Sequence, residues 1–229
     1  MDEGLKAGGT LVSVVIPCYR SERTISKVVR LTRDTLAQLG YESEFVLVND
    51  CSPDATFAEI RRLCRDVPGV VGLDFAKNFG QHAAILAGMR QVHGELVMVM
   101  DDDMQTHPSQ CGKILGALTD DLDVVFGEYR ERRQVWWRRL GSRFNIWTKR
   151  VLANYPKDIV PSNFMVMRRH VADAIASYGA PFPVTLGLIF RATSKIGSVV
   201  IEHFEREVGT SGYNFRSLVK LWSSILNFS

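Results

Sequence analysis

No stretch of this sequence approaches the roughly 18 consecutive apolar residues that span a bilayer. Any meeting with a membrane is therefore from the side, or through residues this chain lacks. The four cysteines, Cys18, Cys51, Cys64 and Cys111, include no CxxC pair and no Cys/His metal spacing. Reduced thiols in a cytoplasmic setting are expected, not a disulfide framework. No GxGxxG follows the first apolar run, which argues against a dinucleotide site, and no GxxxxGK(S/T) supplies a phosphate loop. The opening MDEGLKAGGT is acidic and glycine-rich, unlike a signal peptide. Excess charge is scarce too: a net +3 is too small to suggest a nucleic-acid binder. Internal repeats and low-complexity tracts are missing.

What is present fits one large domain. The 229 residues are 46% apolar and 23% charged, enough to bury a core and too apolar for disorder. Short apolar runs alternate with helical patterns over the first two-thirds. Strands are expected over 11–19, 44–50, 70–76, 95–101 and 123–129. Helices are expected over 22–39, from an Asp54 cap to about 65, over 80–92, and after Pro108. Continuous β-branched runs between amphipathic helices indicate an α/β fold with a mostly parallel sheet flanked by helices. Beyond residue 130 the pattern breaks into mixed helices and one further strand, over 197–204. Ligands of such sheets bind beyond the carboxyl ends of the strands. The polar clusters fall there: Tyr19, Asn49 and Asp50, Lys77 and Asn78, Asp101 to Asp103, and Arg130.

The most informative segment is ELVMVMDDDMQTHP, an apolar run that ends in three adjacent aspartates. Like charges repel, and burying an unpaired carboxylate is costly. Side chains at i and i+2 of an extended chain share a face, so Asp101 and Asp103 can point together while Asp102 points elsewhere. Gln105 can add a neutral oxygen. Two carboxylates and an amide make a hard oxygen site for Mg²⁺ or Mn²⁺, with positions left for water and phosphate. The bland alternative is a solvated acidic turn ahead of the next helix. A phosphatase with a D-x-D nucleophile would carry the pair after its first strand, whereas here it follows the fourth.

Six segments occur in series: VVIPCYRSERTI, FVLVNDCSPDAT, NFGQHAAILAGM, MDDDMQTHP, PSNFMVMRRHVADAI and HFEREVGTSGYNF. Together they resemble family 2 glycosyltransferases of the GT-A fold, most closely the dolichyl-phosphate mannose synthase-like branch that moves a sugar from a nucleotide to a polyprenyl phosphate. The resemblance covers nearly the whole chain and implies a single catalytic domain over 1–229. Residues 1–130 would bind the nucleotide and 131–229 would face acceptor and membrane. It implies that Pro17, Tyr19 and Glu22 line the nucleotide pocket, and that Asp50 hydrogen-bonds the base. Asp101, Asp103 and Gln105 would hold a divalent cation against the diphosphate of a UDP-, GDP- or dTDP-sugar. Arg130 and Arg206 would lie near phosphates, which suits bidentate guanidinium geometry. Ser211 would ride on a segment closing over the donor. Asp101, Asp103 and Arg130 are the expected catalytic groups. Neither His107 nor His203 is given a catalytic role.

The chain departs from the family pattern at four places. Arg20 stands where relatives usually have Asn, Cys51 where they have Gly, and Gly212 where a lysine is frequent. Asn163 stands where some relatives carry an aspartate proposed as a base. An amide cannot accept that proton. A phosphate acceptor does not require it to, since its second pKa is about 6.

Residues 130–150 hold eight Lys/Arg against one acidic residue. Trp136, Leu140, Phe144, Trp147 and Val151 recur on one helical face, so a basic amphipathic helix is expected over about 135–152. A similar stripe, Leu218, Leu221, Trp222 and Ile225, lies within 214–229. Both read as interfacial membrane elements, each basic residue contributing about 1 kcal/mol on an anionic leaflet. The alternative is packing of these stripes on the domain core. The expected location is peripheral, on the cytoplasmic face of a membrane, with room for a homo-oligomer or a membrane-anchoring partner. A same-fold transferase with a non-lipid glycan acceptor, and a non-catalytic nucleotide-sugar-binding subunit, remain alternatives that liposome flotation and calorimetry separate.

Overall fold

Strand β1 (Leu11–Cys18) shows why its residues are apolar without alternation. Val14 and Ile16 are buried on one face of the sheet and Val15 on the other, as a strand covered by helices on both sides requires. The computed structural model describes residues 9–129, 161–179, 184–202 and 204. In chain order β1 is followed by α1 (Ile25–Gln38), β2 (Glu42–Asn49), α2 (Thr56–Asp66), β3 (Val70–Asp74) and α3 (Gln81–Met89). Then come β4 (Leu96–Val99), a 3-10 turn over Pro108–Gln110, α4 (Cys111–Gly116) and β5 (Val124–Tyr129). The described residues close with β6 (Met165–Arg168), α5 (Arg169–Ala176), α6 (Thr185–Ala192) and β7 (Ile196–Ile201).

Among the described residues the sheet has seven strands in the order β3-β2-β1-β4-β6-β5-β7. All pairings are parallel except those of β6, which runs antiparallel to β4 and β5. Helices α1, α2 and α4 share one apolar cluster with the sheet, and α3, α5 and α6 share the other. Close approach of α3 to β1 depends on Gly88, where a Cβ would clash with Val15 Cγ1.

The five expected strands before residue 130 are present, with ends within two residues at most of them. The third ends two residues early, at Asp74, the fourth at Val99, and α3 stops at Met89, short of the expected 92. Among the described residues of the last third there are two strands, where one was expected. Strand β6 is four residues of MVMR that run directly into α5. It has neither the length nor the β-branched content that marks a strand in sequence.

This strand order fixes where a ligand can sit. The chain leaves β1 for β2 on one side, while β4 lies on the other. The carboxyl ends of β1 and β4 therefore flank a topological switch point, the crevice that open α/β sheets use for ligands.

Candidate active site at the carboxyl ends of the strands

Strand β4 ends at Val99, and Asp101, Asp102 and Asp103 occupy the loop beyond it. The loop is held by Met104, which is buried in the core with a positive φ of 62°. The three carboxylates separate in direction. Asp101 Oδ1 accepts from Gln81 Nε2 at 2.6 Å, and the Asn163 side chain also hydrogen-bonds Asp101. Asp102 Oδ2 turns to the other side of the switch point, accepting from the Tyr19 amide at 3.2 Å and from the Ser21 hydroxyl. Asp103 Oδ1 accepts the Gln105 amide at 3.0 Å.

Burial pushes the Asp101 carboxyl up to about 7, with Asp103 and then Asp102 adding to the rise. The bonds from Asn163 and Gln81 pull against that. The strand was expected to run to Asp101, but the chain bends from residue 102 onward, so the extended i, i+2 geometry does not apply to the triplet. Asp102 is raised to about 6, chiefly by burial, while the bonds from Ser21 and Tyr19 lower it. Among the described residues the loop gathers more negative charge than its neighbours neutralise, which is the electrostatic condition a divalent cation satisfies. Among the described residues no three His, Cys, Asp or Glu side chains form a full metal cage. The donor set is the sparse one: two carboxylates, with Gln105 two residues further on. Such a set suits an ion that shares its shell with a substrate diphosphate. The residues present fit the group.

The ends of β1, β2 and β3 build the neighbouring wall. Tyr19 is 46% exposed, with the Arg20 guanidinium 5.5 Å from its ring centroid. Pro17 is buried inside β1 opposite Val48. Glu22 accepts the Ala55 amide at 3.0 Å, just before α2, and Asp54 accepts the Thr56 amide at 3.2 Å. Asp50 is buried, and its two oxygens accept the amides of Phe79 and Gly80 at 2.7 and 2.9 Å. It therefore anchors the start of α3 from the end of β2. Asn78 Nδ2 donates to the Asp50 carbonyl at 3.1 Å, and Phe79 presents a ring that is 55% exposed.

Other residues close the acidic loop from below and beside. The Thr106 and Tyr129 hydroxyls are hydrogen-bonded to each other, and burial raises Tyr129 above its ordinary pKa. His107 Nδ1 accepts the Ser109 amide at 3.2 Å, a structural duty. Gln105 O accepts the Phe204 amide at 3.1 Å, and Gln110 Oε1 accepts the Glu202 amide at 3.2 Å. The exit of β7 is thereby pinned to the acidic loop two residues before Arg206. Arg130, Arg206, Ser211 and both expected amphipathic helices lie outside the described residues. Sequence reasoning did not single out Gln81, Ser21, Thr106 or Tyr129. The one signal for Gln81 was its place in NFGQHAAILAGM, at the start of a helix facing the strand ends.

Residues 13–175 match the family described as Glycosyl transferase family 2. The chain belongs to that family. Among curated proteins, this family 2 chain is 30% identical over 224 residues to an undecaprenyl-phosphate 4-deoxy-4-formamido-L-arabinose transferase of Proteus mirabilis (strain HI4320). The match covers 94% of this chain and 66% of that protein. The enzyme of the same name from Sodalis glossinidius (strain morsitans) is 31% identical over 216 residues, covering 92% and 65%. The chain thus spans just under two thirds of the length of these relatives. Among solved structures, glucosyl-3-phosphoglycerate synthase from Mycobacterium tuberculosis in complex with phosphoglyceric acid superposes with a TM-score of 0.69 at 17% identity. That likeness covers 95% of this chain and 79% of the synthase. The same synthase with Mn²⁺, uridine diphosphate and glucosyl-3-phosphoglycerate gives a TM-score of 0.66 at 16% identity, over 95% and 77%. These likenesses show the fold: GT-A, a mostly parallel sheet between two helical layers.

Proposed function

We propose that this chain is the catalytic domain of a glycosyltransferase that moves a sugar from a nucleotide-sugar donor to a polyprenyl phosphate. The observation that supports the reading is the place of Asp101 and Asp103 on the loop after β4, at the switch point between β1 and β4, in a family 2 chain whose relatives are named for undecaprenyl phosphate. The donor would lie along the strand ends, its base toward Asp50, Tyr19 and Phe79 and its diphosphate toward Asp101 and Asp103. That division assigns residues 1–130 to the nucleotide and 131–229 to the acceptor and a membrane surface.

Asp101 and Asp103, with Gln105, are the residues that would hold Mg²⁺ or Mn²⁺, as the Mn²⁺ and uridine diphosphate in the structurally similar synthase suggest. When bound, the cation supplies charge neutralisation for the departing diphosphate. Arg130 and Arg206 would add to it, since they closely follow Tyr129 and Phe204, both tied to the acidic loop. A phosphate oxygen of the acceptor attacks the anomeric carbon, the bond from that carbon to the diphosphate oxygen breaks, and the nucleoside diphosphate leaves. One in-line displacement inverts the anomeric configuration. Asn163 is no base, and the ionised phosphate needs none.

The reading locates the protein peripherally on the cytoplasmic face of a membrane. No helix among the described residues is long and apolar enough to cross a bilayer, and the amphipathic segments expected over 135–152 and 214–229 would supply a surface contact. The test is transfer from UDP-, GDP- and dTDP-sugars to a short polyprenyl phosphate, with Asp103→Ala alongside the wild type. Asp103→Ala should abolish transfer and keep the thermal midpoint. Unchanged turnover rejects the role given to the pair.

A further inference from the structure

The two groups that grip Asp101 come from elements far apart in the chain. Gln81 is the first residue of α3, and Asn163 lies just before β6. Each directs a side chain to Asp101, Gln81 through its amide nitrogen at 2.6 Å. Neither carries charge, so neither cancels the carboxylate the way a lysine or arginine would. Gln81 is itself immobilised. The two residues before it, Phe79 and Gly80, give their amides to Asp50, and Gly80 has a φ of +91° that turns the chain into α3. A continuous chain of contacts therefore runs from the end of β2 through the start of α3 to the end of β4.

We propose that Gln81 and Asn163 are positioning residues that hold Asp101 in register with Asp103 for a divalent cation. The proposal rests on the metal reading above and adds its outer shell. A neutral amide is the apt partner for this duty. It fixes one carboxylate oxygen by a directed hydrogen bond and leaves the carboxylate's charge for the ion. At residue 163 an amide donates to Asp101 at any pH, whereas an aspartate there would have to be protonated to do so. Outer-shell changes of this type typically weaken metal binding about 10–100-fold.

The test is Mn²⁺ binding to the purified chain by electron paramagnetic resonance, read as a dissociation constant without substrates, beside the metal-free thermal midpoint. Gln81→Met keeps the length and removes the donor, and should weaken Mn²⁺ at least about tenfold with the midpoint near wild type. Asn163→Ala should act in the same direction from the opposite side. Gln81→His, whose ring N–H reaches a similar distance, should recover most of the loss. Wild-type affinity in both Gln81→Met and Asn163→Ala overturns the proposal, as does a His variant no better than Met. So does a loss that merely follows a fall in the midpoint. Asp103→Asn separates this proposal from the one beneath it. If Asp103→Asn loses Mn²⁺ while the Gln81 and Asn163 variants keep it, the metal reading stands and the positioning role is gone. If the wild type binds no Mn²⁺, both fall.

Discussion

The backbone amide of Tyr19 donates to Asp102 at 3.2 Å, joining two residues 83 positions apart. With the Ser21 hydroxyl on the same oxygen, this contact stitches the loop after β1 to the loop after β4. Those are the two strand ends that bound the ligand crevice. The middle aspartate of the triplet is thus a clasp, and the cation proposed above would fall to the outer two. That division of labour sets different fates for neighbouring carboxylates.

Asp102→Asn should keep Mn²⁺ affinity near wild type. Its carboxamide oxygen still accepts from Tyr19, and one source of repulsion on Asp101 is removed. Asp102→Leu leaves both donors without their partner and should cost about 1–3 kcal/mol of stability. Urea denaturation with parallel Mn²⁺ titration checks both. A large loss of metal affinity in Asp102→Asn would show that the middle aspartate is a ligand after all.

Acidity should stabilise the metal-free protein around the triplet. Asp101 is raised to about 7 by burial and by its neighbours, above its ordinary value, so its contribution is fully present below pH 4 and lost as pH rises through 7. Between pH 8 and pH 5 the metal-free thermal midpoint should therefore gain an increment that Asp101→Asn does not show. With Mn²⁺ the sign reverses, because the ion competes with the proton. The Mn²⁺-induced rise in midpoint should be larger at pH 8 than at pH 6. Thermal melts across that range, with and without metal, test both halves.

The sheet was legible because buried parallel strands write themselves as apolar runs: VVIP, FVLVN and VMVM each became a strand where expected. The site was legible in its carboxylates, since three adjacent aspartates at a strand end repel one another until a cation or a donor answers them. What stayed hidden were relationships that depend on which strand lies beside which. Strand β6 is antiparallel and inserted between β4 and β5, and it delivers Asn163 to Asp101 from 62 residues away in sequence. Nothing local to either residue encodes that meeting. Asp50 likewise reads as a strand-end carboxylate, and only the fold shows it bound to the start of α3.

Two departures from the pattern of the family it resembles fall where the backbone is left-handed. Cys51 has a φ of +53° and Arg20 a φ of +60°, the left-handed region where Gly and Asn are the tolerated residues. This chain therefore holds two side chains in conformations that cost about 1 kcal/mol each. Cys51→Gly should raise stability by up to about 1 kcal/mol, offset in part by the looser unfolded chain. Cys51→Val, β-branched at positive φ, should lower it. Denaturant midpoints of the two variants should move in opposite directions.

Asp50 offers the sharpest separation of a structural from a ligand-binding role. Its carboxylate accepts two amides at 2.7 and 2.9 Å, and hydrogen bonds to a charged group contribute about 1.5–3 kcal/mol each. Asp50→Ala should therefore destabilise the metal-free, nucleotide-free protein by about 3 kcal/mol or more. Asp50→Asn, with a single acceptor oxygen, should lose roughly half as much. A residue that only read the base would leave the apo midpoint unchanged and move KM for the donor alone. If Asp50 does both, the apo midpoint falls and donor affinity falls further than in a Glu59→Gln control, which disturbs only the Glu59–Arg62 pair within α2. Measuring both quantities on one set of variants shows which duty the carboxylate performs. An apo midpoint equal to wild type in Asp50→Ala would remove it from the frame that holds Gln81 in place.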